Sequence, residues 1–303
     1  MSEQTIQTAP QQCLLSSITT FKLGGPCWGI IHCQTPETLY KTILRFRTNK
    51  SPFRVIGEGS NILVSDKGLN CNIIRYFSYM PLIQIKDTTL YTSASTRLDD
   101  LALSSASHGL EGLMFANGIP GTVGGAITGN AGAFGKSIDN VLIQITALNK
   151  DNKIIKIPAT DLDFNYRTSS INKKELIILS AEFNLKKGNK SALLEQRKET
   201  LTLRHQRHPN LIKTPCAGSF FKNIINTETG QKTSAGWYLD QANVKSLSHN
   251  GATVFDKHAN IIIKANNNCS ARDIYELSVM MENAVYDKFQ IRLEREVGLL
   301  GEF

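Results

Sequence analysis

The sequence predicts an α+β fold built in three pieces. Three observations lead there. The chain is long enough for more than one packed unit, it carries both helical and strand-like periodicity, and a run of nine glycines interrupts both. At 303 residues and 41% hydrophobic content, it suits two or three packed units rather than one.

The opening MSEQTIQTAPQQ is polar, lacks apolar periodicity and is expected to fray. The first unit spans residues 1–77. Trp28 to Cys33 is a strand-like apolar run. TPETLYKTILRFRTNK opens with a Thr-Pro-Glu helix start and carries Leu39, Ile43, Leu44 and Phe46 at helical spacing. Phe53–Ile56 and Asn72–Tyr76 are further strands. The second unit spans residues 78–208. LIQIKDTTLYTSAS predicts two short strands around a Lys-Asp turn. A helix over Arg97–Ser107 ends at the His108-Gly109 cap. Val141–Leu148 and Lys153–Ile157 form a hairpin across Asn149–Asn152, Leu176–Leu185 is a strand, and Ser191–Gln206 is a helix. The third unit spans residues 209–296. It holds helices over Ser234–Val244 and Ala271–Phe289, a strand over Asn260–Lys264 and a closing strand over Gln290–Val297. Residues 297–303 are expected to return to the first unit.

The run GLEGLMFANGIPGTVGGAITGNAGAFG, Gly109 to Gly135, holds nine glycines in 27 residues. A helix or an ordinary strand is not expected there, because each glycine costs backbone entropy. Such a density suits main chain that approaches a ligand closely, with successive N–H groups aimed at an anion such as pyrophosphate. A flexible linker would lack the interleaved Leu113, Met114, Phe115, Ile119, Val123, Ile127 and Phe134. A second segment, GEGSNILVSD from Gly57, follows a strand. Its third glycine position is Ile62, so the Rossmann fingerprint fails. A P-loop is not expected either: the one GKS, Gly135 to Ser137, has Asn130 where that pattern needs its first glycine. The anion cradle therefore belongs to another architecture.

The net charge of +8 invites a nucleic-acid reading. The chain lacks a dense basic run with interleaved aromatics, so the charge reads instead as a site for phosphates and carboxylates. No apolar run approaches the ~20 residues of a membrane span. No secretory signal pattern opens the chain, so a cytoplasmic protein is expected. The six cysteines have no CxxC spacing and none lies beside a histidine at ligand spacing; no metal site and no disulfide framework are expected.

The blocks TTFKLGGP, GEGSNIL, the glycine run, FNYRTS, CAGSFFKN, GWYLDQA and LEREVGLLGE occur in order along nearly the whole chain. Together they resemble the UDP-N-acetylenolpyruvoylglucosamine reductase (UDP-N-acetylmuramate dehydrogenase) family, in its shorter subtype. The resemblance implies an FAD-binding fold of the vanillyl-alcohol-oxidase type in two subdomains, plus a C-terminal α+β substrate domain. It implies FAD as cofactor, NADPH as hydride donor, and a monomer that binds neither nucleic acid nor membrane. The implied reaction belongs to peptidoglycan precursor synthesis. Hydride passes from NADPH through the flavin to the enolpyruvyl ether of UDP-N-acetylglucosamine.

The resemblance places Gly57, Gly59, Ser60 and Asn61 on one side of the FAD, and Gly121, Thr122, Gly124 and Gly125 opposite. Arg167 would stabilise the enolate-like charge that builds on the substrate carboxylate, since a guanidinium matches a carboxylate in two-point fashion. Glu296 would complete that site, and Ser219 would protonate carbon in a dry pocket. Lys222 and Asn223 would reach the UDP pyrophosphate. Tyr238, Gln241 and Lys264 are further candidates for substrate or NADPH contacts, and His258 is as readily structural. Read singly, each residue has a plainer role: Arg167 as a surface arginine, Ser219 as a turn residue, Glu296 as a partner of Arg295 or Arg292. The chain departs from the family pattern at Asn243, Val244, Lys245, Ser246, Asn260 and Lys264, all in the substrate unit.

Overall fold

The computed structural model describes residues 13–225 and 230–303; the polar start expected to fray lies outside them. Pro26–Cys33, Leu69–Tyr76 and Phe53–Ile56 form a parallel sheet with Leu69–Tyr76 in the middle, and Cys13–Leu14 adds antiparallel to the edge of Pro26–Cys33. Helix α1 (Pro36–Thr48) begins at a capping box between Thr35 and Thr38 with Pro36 in its first turn. It buries Leu39, Ile43 and Phe46, each of which contributes roughly 1.5–3 kcal/mol when fully removed from water.

A second, antiparallel sheet runs Ile154–Pro158, Leu142–Leu148, Ile177–Asn184, Thr89–Ser93, Ile83–Lys86. Helices α2 (Leu98–Ser107), α3 (Val123–Thr128) and α4 (Lys190–Arg207) pack beside it. One apolar cluster joins Leu39 and Ile43 of α1 to Leu90, Leu98, Leu101, Ile127 and Phe183, so the two sheets share a core.

Helix α3 corrects the expectation that the glycine run excludes a helix. Thr122 caps it, its Oγ1 accepting from the Gly125 N–H at 3.3 Å. Gly124 is there for packing: a Cβ would stand 3.2 Å from both the Cβ and the carbonyl oxygen of Ala94. Close approach to the turn after Thr89–Ser93 outweighs the entropy cost of glycine at this position.

The C-terminal part folds around its own cluster of Phe220, Phe221, Leu239, Ile262, Ile274, Leu277 and Met281. It contains α5 (Ala235–Gln241), α6 (Ala271–Phe289) and a sheet of Ser248–His249, Ala252–Val254 and Ile262–Lys264. A Ser270–Asp273 capping box starts α6. The Asp66 carboxylate also accepts from the N–H groups of Ala271 and Arg272, at 2.9 and 3.0 Å, which ties this helix to the first part of the chain. Gln290, at φ 59°, ends α6 in the left-handed region.

The closing strand expected over Gln290–Val297 does not form as a ladder. Leu293 and Val297 are buried, and this alternation gave the stretch its strand-like look, yet its β-pairing is a single bridge between Phe221 and Arg295. The ladder begins one residue later, with Gly298–Leu300 parallel to Ile62–Val64. Among the described residues no helix is long and apolar enough to cross a membrane.

Candidate active site

The two glycine segments meet face to face. Gly59 has φ +68°, and a Cβ there would lie 2.3 Å from the Ile18 carbonyl oxygen; only glycine fits. A Cβ on Gly57 would lie 2.4 Å from Thr122 Oγ1, and one on Gly121 (φ +123°) would lie 2.8 Å from Ser60 Oγ. Ser60 Oγ donates to the Pro120 carbonyl at 3.1 Å, and the Gly121 N–H donates to the Glu58 carboxylate at 2.6 Å. Gly57, Gly59, Ser60, Gly121 and Thr122 are thus brought together, with Gly124 and Gly125 in the first turn of α3 directly behind.

A buried ion pair braces this cradle. Arg197 on α4 makes two 2.7 Å bonds to the Asp99 carboxylate and a third to Asn117 Oδ1. Asp99 in turn accepts from the Gly118 N–H at 2.6 Å. Burial pushes the Asp99 carboxyl up, but the Arg197 bonds and the Gly118 N–H outweigh it and hold the group below its ordinary value.

Beside the cradle lies a cluster of charged side chains. Arg167 sits at φ 57°, an uncommon conformation for a non-glycine residue. Its Nη2 donates to the Gly132 carbonyl at 2.6 Å, and its Nη1 reaches the Asn130 carbonyl at 3.4 Å. Its Nε stands 2.8 Å from Glu296 Oε1, an ion pair without an aligned N–H···O bond. Burial is the main reason the Glu296 carboxyl is pushed up, and Arg167 opposes it in part.

Glu296 and Ser219 lie on neighbouring segments. The Glu296 N–H donates to the Phe220 carbonyl at 2.8 Å, one residue from Ser219. The Ser219 segment is held from its other side by Asn260. The Phe220 N–H donates to the Asn260 carbonyl at 2.8 Å, and the buried Asn260 amide bonds both the N–H and the carbonyl of Phe221. Asn260, a departure from the family pattern, therefore supports the serine rather than disturbing it. Asn61 joins cradle and cluster: its amide donates to the Glu296 carbonyl at 3.2 Å.

Lys222 pairs with Glu294 at 2.5 Å, and its charge is felt at Glu296. Asn223 Oδ1 accepts from the Ala235 N–H at the start of α5, while its own N–H donates to the Tyr166 hydroxyl. Three further candidates make their contacts elsewhere. Tyr238 packs edge-on against Phe289, Gln241 gives its carbonyl to Lys288, and Lys264 reaches the Lys22 carbonyl. His258 packs against His208 with ring centroids 5.5 Å apart.

Sequence reasoning missed three charged residues here. Lys232 lies with its Nζ 3.9 Å from the centre of the Tyr166 ring. Its ammonium is pushed down by desolvation and then by Arg167, although the residue as a whole stays exposed. No local motif marks it. Glu58 was legible in principle, as an acid between two glycines of an anion cradle. Arg97 lies 3.7 Å from it and offsets its charge.

The cradle fits FAD. Side chains are excluded where Gly57 and Gly121 abut the opposite segment and where Gly59 abuts Ile18, which leaves main chain free to approach a pyrophosphate. Residues 29–158 match the model of an FAD binding domain. Residues 209–300 match the C-terminal domain of UDP-N-acetylenolpyruvoylglucosamine reductase. The chain is 32% identical to the enzyme of that name from Anoxybacillus flavithermus, over 99% of this chain and 96% of the relative. It is 33% identical to that from Alkaliphilus metalliredigens, over 94% and 90%. Its fold is similar to the crystal structure of the Thermus caldophilus enzyme, with a TM-score of 0.77 and 29% identity over 96% of this chain and 98% of that one. Motif order, cradle and comparisons agree: the chain belongs to the UDP-N-acetylenolpyruvoylglucosamine reductase family.

Proposed function

We propose that this chain reduces enolpyruvyl-UDP-N-acetylglucosamine to UDP-N-acetylmuramate, with FAD as resident cofactor and NADPH as hydride donor, in peptidoglycan precursor synthesis. The observation that carries the reading is the Arg167–Glu296 pair, 2.8 Å apart, beside the Ser219 segment and tied by Asn61 to the glycine cradle. When bound, FAD supplies a two-electron carrier between NADPH and the substrate double bond. The segments Gly57–Asn61 and Gly121–Gly125 would hold it.

The chain's own residues do the rest. Arg167 faces the negative charge that develops on the substrate carboxylate, and its placement by two main-chain carbonyls means that it need not reorganise during reaction. Glu296 has its proton affinity raised by burial, which equips it to donate a hydrogen bond to that carboxylate rather than repel it. Ser219 gives a proton to the carbon next to the carboxylate. Lys222 and Asn223, on the same segment, and the chain's net charge of +8 favour the anionic ligands NADPH and the UDP-sugar. In this reading residues 1–77 and 78–208 hold the cofactor and residues 209–296 cover the substrate. The protein acts as a cytoplasmic monomer, following the family resemblance, and gel filtration at the mass of one chain checks the monomer.

The deciding experiment follows the flavin spectrum without oxygen. The purified protein is yellow or takes up FAD, NADPH bleaches it, and added enolpyruvyl-UDP-N-acetylglucosamine restores the colour. A protein that NADPH bleaches but this substrate cannot reoxidise would point to a different acceptor.

A further inference from the structure

We propose that Arg295 is a positioning residue, whose anchorage on α6 sets where Glu296 stands against Arg167. The inference rests on the role given to Glu296 above. Residues 291–297 form no ladder, and apart from the Phe221–Arg295 bridge few main-chain bonds hold them near Glu296. The Lys222 N–H donates to the Glu294 carbonyl, and the N–H groups of Glu296 and Val297 share the Phe220 carbonyl, the second at 3.4 Å. The Asn61 amide also holds the Glu296 carbonyl, and the Gly298 N–H donates to the Asn61 carbonyl; these bonds fix the segment on the side of Phe220 and Asn61, and its opposite side is fixed by side chains.

Arg295 supplies that placement. In an extended segment successive side chains leave on opposite sides, so Glu296 goes to Arg167 and Arg295 goes to α6. There its Nε donates to Ser278 Oγ at 3.3 Å and its Nη2 to Glu282 Oε2 at 3.2 Å. Its guanidinium lies 5.1 Å from the centre of the Tyr275 ring. Tyr275, Ser278 and Glu282 fall at i, i+3 and i+7, one face of the helix. Ser278 is fully buried, and its hydroxyl also donates to the Tyr275 carbonyl at 2.6 Å, which turns its lone pairs toward Arg295. Ring, hydroxyl and carboxylate thus define one seat for the guanidinium. That seat belongs to the most extensively packed helix of the C-terminal core. A carboxylate one residue along inherits its position, and a displacement of about 1 Å at a reacting centre costs roughly 100-fold in rate.

The test is a double-mutant cycle read on the anaerobic half-reaction with enolpyruvyl-UDP-N-acetylglucosamine. Arg295→Met keeps the apolar stem and removes both bonds. It is expected to bind FAD and accept hydride from NADPH as the parent does, but to slow the substrate half-reaction roughly 10- to 100-fold, with KM little changed. Glu296→Gln alone is also slow. In the Glu296→Gln background Arg295→Met adds less than about twofold, because there is no carboxylate left to place. Arg295→Lys restores part of the rate. A parent-like rate for Arg295→Met, or an equal loss in both backgrounds, overturns the proposal. A parent-like rate for Glu296→Gln overturns the reading of Glu296 instead. Should Arg295→Met fail to fold, Ser278→Ala and Glu282→Ala each remove one bond and run the same cycle, with smaller factors expected.

Discussion

The glycine cradle and the charged edge, which the proposed function assigns to cofactor and substrate, lie side by side and are built from different materials. The cradle is main chain: Gly57, Gly59 and Gly121 matter because they have no side chain, and the opposite segment or, at Gly59, the Ile18 backbone fills the space a Cβ would need. The charged edge is side chain: the proposed function needs the chemical groups of Arg167, Glu296 and Ser219, with the Arg167 guanidinium held by the Asn130 and Gly132 carbonyls and the Glu296 and Ser219 segments by Phe220 and Asn260. A main-chain site fails by steric exclusion, whatever residue is introduced. A side-chain site fails by lost chemistry and leaves the fold and the neighbouring ligand in place.

Gly59→Ala is the largest blow and tests the first half of that contrast. A left-handed backbone costs a non-glycine residue about 1–2 kcal/mol, and the Cβ would stand 2.3 Å from the Ile18 carbonyl. The variant is expected to emerge from gel filtration without flavin and to lose both half-reactions; a yellow, reducible variant would show that the cradle tolerates side chains.

Ser219→Ala tests the second half. It should keep its flavin and its reduction by NADPH, and lose roughly 10²–10⁴-fold in the substrate half-reaction, the usual worth of general acid catalysis. Equal slowing of both halves would remove Ser219 as proton donor. Arg167→Lys keeps the charge but not the planar fork, and a loss of about 10-fold or more confined to the substrate half is expected. Unchanged turnover would take Arg167 out of the site.

The smallest expected effect is on stability, at the seam between α4 and the C-terminal part. Burial, then the neighbouring His258, pushes the His208 imidazole down from 6.5 to about 4. Between those values the folded chain binds fewer protons than the unfolded one, so stability is complete above about pH 6.5 and drains away as pH falls. His208→Gln should flatten the decline of Tm between pH 6.5 and 4, and an unchanged decline would assign it to other groups.

Much of the fold was legible because its signals are local. Thr35 with Pro36, Ser270 with Asp273, and the apolar spacing of α1 and α6 mark helices without reference to anything distant. Helix α3 was not legible, because the reason Gly124 is needed there is Ala94, in the turn that follows the strand Thr89–Ser93. The stretch 290–297 alternates like a strand but lacks a partner long enough to pair with, and nothing local reports that. In the candidate site, the blocks singled out Arg167, Ser219 and Glu296 as candidates. The contacts among them join segments more than 70 residues apart, and Lys232 came near Tyr166 through folding alone.

One feature ties the two materials together. Within a dozen residues, the glycine run lays Gly121 and Thr122 against the cofactor loop and then presents the Asn130 and Gly132 carbonyls to Arg167. Under the proposed function, FAD seated at one end would order the segment that aims the arginine at the other. Linkage would then make the coupling mutual: whatever FAD contributes to the grip on the acidic substrate, the substrate returns to the retention of FAD.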